Sequence, residues 1–360
     1  MQGLKGLFVE HHDSSEPLPD SRALSEYRML AVMVGLAAVV ALAAVPVNDA
    51  PRGISLLGLL VGLIYYLVAS RRERRRLRLL SAPFPAPWRE TLEQRVALYG
   101  LLSPSEKQRF EAEIQLFLGE QRIYALRPDS GEQVPVLSDE SRLLVAASAA
   151  TLLLGRPEWR LPTVRDIVIY PTAFAEETYR LWPNDPQGPH PHAVGMVHAQ
   201  GPILFSLDAL ERSFPTGLRA SPSPASIGEP ALPHVGIHEF AHVLDFIGTG
   251  DRPTAAGVPA MLTTGTAARW HQQLSLERER LAAGQSILSP YGLKNEAELF
   301  AVSVESFFQD ALRMRVHHAE LYSLLSEFFN QDPAARLVAH HAAFIFRPWF
   351  ALGPTVRYTA

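Results

Sequence analysis

The chain has 360 residues, 47% of them apolar, which suffices for two domains or for one large domain with additions. It contains no cysteine, so disulfides, thiolate metal sites and cysteine nucleophiles are excluded, and a transition metal would need histidine and carboxylate ligands. The formal net charge is −4, so the chain as a whole has no excess of positive charge. This argues against direct binding of nucleic acid.

Two apolar segments follow a polar N-terminal stretch. Residues 29–47 carry no charge, and neither do residues 54–70. About 20 apolar residues cross the hydrocarbon core of a bilayer, with a lower limit near 17. Because turn-forming residues 48–53 join the two segments, the sequence predicts a transmembrane helical hairpin over residues 29–70. The alternative, two buried helices of a soluble core, is disfavoured by their length and all-round apolarity.

Six arginines lie within residues 71–78, directly after the second apolar segment. The positive-inside rule places that end of the hairpin in the cytoplasm. We therefore expect a multi-pass protein of the inner (cytoplasmic) membrane, with a polar cytoplasmic tail over residues 1–28. A basic, proline-rich linker over residues 71–84 would lead to a soluble domain over residues 85–360 that faces the cytoplasm.

The soluble part shows both helical and strand patterns. Helical periodicity covers residues 89–124, with a Ser-Pro start at Ser103, and residues 141–155 form an apolar helix that is short for a third membrane span. Strands are predicted over residues 164–171 and 201–210, and we expect the second strand at the sheet edge. The intervening residues 182–195 are predicted as a loop, and the chain beyond residue 267 as mostly helical. The predicted fold class is α+β, mostly helical with a small sheet.

The segment "VGIHEFAHVLDFIG" places His238 and His242 four residues apart, with Glu239 directly after the first. Residues four apart lie on one face of a helix, so both imidazoles can bind one metal ion. Glu239 can then take a proton from a metal-bound water, as in the His-Glu-x-x-His arrangement of zinc peptidases. The alternative is a pair of core histidines with ordinary hydrogen bonds. It is disfavoured because the apolar neighbours would bury three polar groups.

A catalytic zinc also needs a third protein ligand and an open position for water. Residues 291–308 begin with a turn and continue as a helix from Asn295, a good N-cap residue. Glu298 and Glu305 share one face of this helix. Because periodicity alone favours a solvated acidic face, the spacing leaves open whether either glutamate belongs to a metal site.

Several blocks together resemble the Mlc titration factor A family of zinc-dependent peptidases and, more distantly, the catalytic domain of anthrax lethal factor. The resemblance covers roughly residues 85–335 and is carried by the following segments: "LPTVRDIVIYPTAF", "GPILFSLDAL", "HEFAHVLD", "SPYGLKNEAELFAVSVESFF" and "HHAELYSLLSEFFNQDP". It implies a zincin-like metallopeptidase domain with Zn²⁺ as its cofactor. The chain departs from the family pattern in its predicted hairpin, in Leu207 where tryptophan is expected, and in Ala311 where proline is common.

The resemblance also implies roles for individual residues. His238, His242 and Glu298 would be the zinc ligands, and Glu239 the general base. Tyr291, seven residues before Glu298, would stabilise the transition state by a hydrogen bond to the oxyanion.

Two further carboxylates, Glu305 and Asp245, are candidates for orienting a ligand histidine. Solvent-facing carboxylates are the alternative for both. His234 is expected in the loop before the motif helix because Pro233 precedes it.

The main functional hypothesis is therefore a membrane-anchored zinc metallopeptidase that acts on a peptide or protein substrate. The alternative is a regulatory binding protein that sequesters a transcriptional repressor at the membrane, since the family is named for titrating a repressor. Intramembrane proteolysis is disfavoured because the histidine motif lies far beyond the apolar segments and is flanked by polar loops.

Overall fold

The computed structural model describes residues 71, 74–127, 133, 137–159, 161, 166–174, 194–197, 202–214, 233–246 and 264–341. The predicted tail and hairpin, residues 1–28 and 29–70, lie outside these residues. Within the described part of the chain, no helix has both the length and the apolarity that crossing a bilayer requires. The chain divides into two compact units, residues 1–81 and 82–360. In the first unit, residues 74–81 of the predicted linker are helical.

The second unit is mostly helical with a small four-stranded sheet, in agreement with the predicted α+β composition. Its named elements, in chain order, are α1 (Ala86–Arg95), α2 (Ala97–Leu101), α3 (Pro104–Glu120), β1 (Ile123–Ala125), α4 (Asp139–Leu153), β2 (Ile167–Tyr170), β3 (Gly195–Val197), β4 (Ile203–Ser206), α5 (Leu207–Ser213), α6 (Val235–Phe246), α7 (Thr264–Ala282), a 3₁₀ turn (Pro290–Leu293), α8 (Glu296–Gln309), α9 (Ala311–His317) and α10 (Ala319–Phe329).

The sheet has the strand order β1-β2-β4-β3. The two inner strands, β2 and β4, are parallel, with Ile167 opposite Ile203, and all their residues are buried. Near-continuous apolar runs such as "IVIY" are typical of inner parallel strands, because both faces of the sheet are covered. Strand β3 pairs antiparallel with β4 and forms one edge of the sheet.

Two of the sequence predictions for this sheet were wrong. Residues 201–210 do not form one strand at the sheet edge, because β4 is an inner strand that ends at Ser206. The Ser206 hydroxyl accepts a hydrogen bond from the Ala209 amide, so it caps α5, and Leu207 is the first residue of that helix. The edge strand next to β4 is β3, which begins at Gly195, a residue predicted in a loop.

The predicted helical stretch over residues 89–124 is likewise divided. A capping box between Ser103 and Glu106 starts α3, as the Ser-Pro signal predicted. The helix ends at Glu120, and Ile123 already pairs with Ile167 as the first residue of β1.

The motif helix α6 is held in the core by Phe240, which is fully buried. Its ring lies 5.6 Å from that of Phe117 on α3 and 6.0 Å from that of Phe205 on β4. Burial of one such side chain contributes about 1.5–3 kcal/mol. On another side of α6, Gly236 approaches Ser148 of α4 so closely that a Cβ atom would lie 2.0 Å from the serine Oγ. Helix α6 is therefore fixed from three directions.

Candidate metal centre

The start of α6 is defined by side chains from outside the helix. The Ser213 hydroxyl accepts a hydrogen bond from the Val235 amide at 3.0 Å. The Nδ1 atom of His234 accepts one from the Ile237 amide at 3.1 Å. Burial lowers the pKa of His234 to about 4, so its imidazole is neutral and can accept this bond. His234 thus precedes the helix, as expected from Pro233, and acts as its cap.

Three side-chain atoms from two helices meet above this helix. The Nε2 atoms of His238 and His242 lie 3.1 Å apart. The Oε2 atom of Glu298, on α8, lies 3.0 Å from the first and 3.2 Å from the second. Each of the three side chains is 12% exposed. The structure therefore brings the three predicted ligands together at one point that is mostly buried.

The distances suit a metal ion. Donor atoms bound to one zinc ion at about 2.0–2.2 Å and at tetrahedral angles lie about 3.3–3.6 Å from one another. The observed separations of 3.0–3.2 Å are within a few tenths of an ångström of this range. Two imidazole nitrogens and one carboxylate oxygen are also the donor set of catalytic zinc sites in peptidases. The residues present therefore fit a bound divalent metal.

Glu305 determines which nitrogen of His238 faces this point. Its Oε1 atom lies 2.6 Å from Nδ1 of His238, and its Oε2 atom accepts a hydrogen bond from the His234 amide at 2.9 Å. A carboxylate accepts the Nδ1 proton, so Nε2 is the nitrogen left for a metal. The same carboxylate connects α8 to the first residues of the motif helix. Glu305 is therefore not a solvent-facing residue, and its side chain is 14% exposed.

Glu298 is the third residue of α8, and its side chain does not turn back to the N-cap residue. The Oδ1 atom of Asn295 accepts a hydrogen bond from the Glu298 amide at 2.8 Å, which confirms the predicted N-cap. Glu106, at the same position of α3, turns back to bond its own N-cap residue, Ser103. Glu298 instead points across to the two histidines.

The pKa values of these groups reflect their mutual contacts. Burial raises the pKa of Glu298, but hydrogen bonds with His238 and His242 lower it more, so the net shift is strongly downward. Burial lowers the pKa of His238, while its bonds with Glu298 and Glu305 raise it to about 10. Without a metal, the imidazole of His238 is therefore protonated and positively charged, and it lies between the carboxylates of Glu298 and Glu305.

Glu239 lies beside the three ligands and is only 5% exposed. Burial raises its pKa; the positive charge of His238 lowers it and the charge of Glu298 raises it, giving a value of about 8. A Cβ atom at Gly195 of β3 would lie only 2.2 Å from Oε1 of Glu239. The absence of a side chain at Gly195 therefore lets this carboxylate approach the edge strand.

Tyr291 lies near His238, in the 3₁₀ turn that precedes α8. The Ser289 hydroxyl accepts a hydrogen bond from the Tyr291 amide at 3.4 Å. The ring centroid lies 5.9 Å from that of His238, and the side chain is 49% exposed. Tyr291 is thus near the predicted ligands and accessible to solvent.

The structure also adds to and corrects the sequence-based list of residues. Asp245 is fully buried rather than solvent-facing, and its role in orienting a histidine stays a prediction. Lys294 was missed: its Nζ atom lies 3.9 Å from Oε1 of Glu298. Helical spacing did not identify it, because Lys294 precedes the N-cap residue of α8 and is not on the helix. Gly195 was also missed, and no local signal identified it, because its contact depends on strand pairing.

Comparison with known proteins agrees with this geometry. A sequence model of the glucose-regulated metallo-peptidase M90 family matches residues 69–330. Among individual relatives, an uncharacterised protein of Synechocystis sp. is 28% identical over 298 residues, which are 77% of this chain and 96% of the relative.

Proteins named Mlc titration factor A are also similar. The one from Pectobacterium atrosepticum is 28% identical over 67% of this chain and 85% of its own length. The one from Shigella flexneri is 28% identical over 71% of this chain and 89% of its own length. The family match spans most of the chain and includes the whole candidate metal centre, so this chain belongs to the glucose-regulated metallo-peptidase M90 family.

Proposed function

We propose that this protein is a zinc-dependent peptidase that hydrolyses peptide bonds in a peptide or protein substrate. The observation that carries the proposal is the convergence of His238, His242 and Glu298 within 3.2 Å of one another, with Glu239 beside them. Membership of a metallopeptidase family supports the same reaction class.

The side chains divide the chemistry among them. His238, His242 and Glu298 would hold the zinc ion. When bound, that ion lowers the pKa of a coordinated water to about 7 and polarises the scissile carbonyl. Glu239 accepts the proton of the attacking water and delivers it to the leaving nitrogen. Its pKa of about 8 in the metal-free protein falls towards 7 when a divalent cation replaces the single charge of protonated His238 beside it, which suits a group that must both accept and donate a proton. The Tyr291 hydroxyl donates a hydrogen bond to the oxyanion.

The edge of the sheet offers a place for the substrate backbone. Among the described residues, β3 has one neighbouring strand, β4, and Gly195 of β3 contacts Glu239. An extended peptide that pairs with the free edge of β3 would run past the general base. The candidate strand for pairing with a substrate is therefore β3, and not residues 201–210, which were predicted at the sheet edge.

The test uses the full chain purified with its metal. We expect one zinc ion per chain by elemental analysis and cleavage of a fluorogenic peptide library. The Glu239→Gln variant should keep the zinc but lose about 10²–10⁴-fold in the cleavage rate, because it lacks the general base. Glu93→Gln on α1 is the control and should behave as wild type. A wild-type chain without stoichiometric zinc, or a fully active Glu239→Gln variant, would refute the proposal.

A second candidate function is sequestration of a transcriptional repressor, which the name of the relatives, Mlc titration factor A, favours. A pull-down of the repressor homologue from the host organism separates the two functions. If binding persists after chelation and in His238→Ala, the domain captures its partner independently of the metal. If binding is lost with the metal, sequestration is not a separate function.

We also propose that residues 29–70 anchor the protein in the inner membrane, with the metallopeptidase domain in the cytoplasm. The support comes from the two apolar segments and the arginines of residues 71–78. Membrane fractions should retain the protein after carbonate extraction, and protease added to spheroplasts should leave the domain intact. Recovery in the soluble fraction, or digestion from outside, would contradict this topology.

A further inference from the structure

Lys294 lies near Glu298, one of the three candidate ligands, and near the ring of Tyr291. Its Nζ atom lies 3.9 Å from Oε1 of Glu298 and 5.5 Å from the centroid of the Tyr291 ring. The other oxygen, Oε2, is the one that faces Nε2 of His238 and Nε2 of His242. The two oxygens of Glu298 therefore have different neighbours: Oε2 faces the two histidines, and Oε1 faces Lys294.

The charges around the centre require a cation at this position. Glu239, Glu298 and Glu305 are 5%, 12% and 14% exposed, so three carboxylates share a poorly solvated region. When all three carboxylates are ionised, as they are when Glu239 is ready to act as a base, a divalent metal with two neutral imidazoles leaves one negative charge unbalanced. Uncompensated buried charge is costly, and the ammonium group of Lys294 supplies the missing positive charge.

We propose that Lys294 is a positioning residue that holds Glu298 as a one-oxygen metal ligand. This inference rests on the proposed zinc peptidase function. By pairing with Oε1, the ammonium keeps that oxygen away from the metal position, so that a place for water and the substrate carbonyl stays open. Without Lys294, Oε1 is free to join Oε2 as a second donor, and the negative charge left on the centre strengthens metal binding.

The effect on metal affinity distinguishes this role from ordinary support of a ligand. Loss of a partner that only orients a ligand weakens metal binding about 10–100-fold. Loss of Lys294 should leave the affinity unchanged or increase it, while the coordination number rises and peptide cleavage slows.

Lys107 provides a matched control. Its Nζ atom also lies 3.9 Å from a glutamate oxygen, on Glu93, and it lies 4.4 Å from the centroid of the Tyr99 ring. Lys107→Met therefore removes a lysine with the same two kinds of contact, on α3 rather than beside α8.

The experiment replaces the native metal of the full chain with cobalt(II) and records the visible spectrum, since four-coordinate cobalt absorbs several times more strongly than five- or six-coordinate cobalt. We expect Lys294→Met to bind one cobalt ion with wild-type or higher affinity, with weaker visible bands and slower cleavage. Lys294→Arg, which can pair with the same oxygen, should have the wild-type cobalt spectrum. Lys107→Met should have it as well. Lys294→Gln serves as a second variant if the methionine variant does not fold.

Two results would overturn the role of Lys294: a Lys294→Met spectrum identical to that of wild type, or a 10–100-fold loss of cobalt affinity. A wild-type chain that binds no stoichiometric cobalt would instead refute the proposed function itself. The two failures are therefore distinguishable.

Discussion

The Nδ1 atom of His238 lies 2.6 Å from Oε1 of Glu305, and the second oxygen of the same carboxylate accepts a hydrogen bond from the His234 amide. This one side chain sets the orientation of a ligand imidazole and connects α8 to the start of the motif helix. Glu305 is not part of the His-Glu-x-x-His motif, but the orientation of His238, the first histidine of that motif, depends on it.

Replacing Glu305 by glutamine should weaken zinc binding about 10–100-fold, because the amide no longer holds the Nδ1 proton with a full negative charge. Competition with a chromophoric chelator measures the affinity. Glu296→Gln is the control, since Glu296 is an exposed residue in the first turn of the same helix. An unchanged affinity in Glu305→Gln would show that His238 is oriented without this carboxylate.

Gly195→Ala should separate metal binding from catalysis. The added Cβ would lie 2.2 Å from Oε1 of Glu239, so this carboxylate must move, whereas the three ligands are not displaced directly. A shift of about 1 Å in a reacting group can cost about 10²-fold in rate. We expect that loss in peptide cleavage, with one zinc ion still bound by elemental analysis.

Gly100→Ala is the control for this substitution, because a Cβ there meets nothing within 4 Å. If Gly195→Ala cleaves at the wild-type rate, Glu239 does not depend on the edge strand.

Zinc binding should release at least one proton at neutral pH, one from His238 and a further fraction from Glu239, whose pKa of about 8 falls beside the metal. The pKa of His238 is about 10 in the metal-free protein, so the imidazole is charged, and a metal must displace the proton on Nε2. Zinc affinity should therefore rise about tenfold per pH unit between about pH 7 and pH 9. Calorimetry in buffers of different ionisation enthalpy counts the protons released. Release of no proton would mean that His238 is neutral before the metal arrives.

The buried His234 should make the metal-free protein sensitive to acid. Its folded pKa of about 4 lies below the ordinary value of 6.5, so the unfolded chain binds more protons between these pH values. Titration of His234 should therefore lower the free energy of unfolding by roughly 3 kcal/mol as the pH drops from 6.5 to 4. Glu239, whose folded pKa is raised to about 8, acts in the opposite sense over this range, so the contribution of His234 is the difference between wild type and a variant without it. Denaturant titrations at several pH values, with a chelator present, measure this loss.

The His234→Asn variant keeps a residue that can cap α6 but has no group that titrates in this range. Its loss of stability in acid should be smaller than that of wild type by roughly the same 3 kcal/mol. The control, His317→Asn, alters an exposed histidine and should retain the wild-type pH dependence. Parallel curves for wild type and His234→Asn would contradict this assignment.

Local patterns predicted a large part of the site. The four-residue spacing of His238 and His242 placed both on one face of a helix, and the Asn295 cap correctly marked the start of α8. Spacing did not decide whether Glu298 and Glu305 belong to the site or to a solvated face. Their positions depend on how α8 packs against α6, which is a tertiary relationship.

The sheet was predicted less well, for physical reasons that differ between strands. Strands β1 and β3 have three residues each, too few to show a period of two, and the partner of β1, β2, is distant in the chain. The C-terminal end of β4 was predictable, because Ser206 followed by Asp208 is a helix-start signal. The contact of Gly195 with Glu239 depends on the register of β3 and could not be read locally.

The central claim is that His238, His242 and Glu298 bind one zinc ion. A crystal of the full chain grown with zinc, measured on both sides of the zinc absorption edge, tests it directly. We predict one anomalous peak per chain within about 2.0–2.2 Å of Nε2 of both histidines and of Oε2 of Glu298. A crystal with no peak among these three atoms, or with the zinc bound to other residues, would contradict the claim.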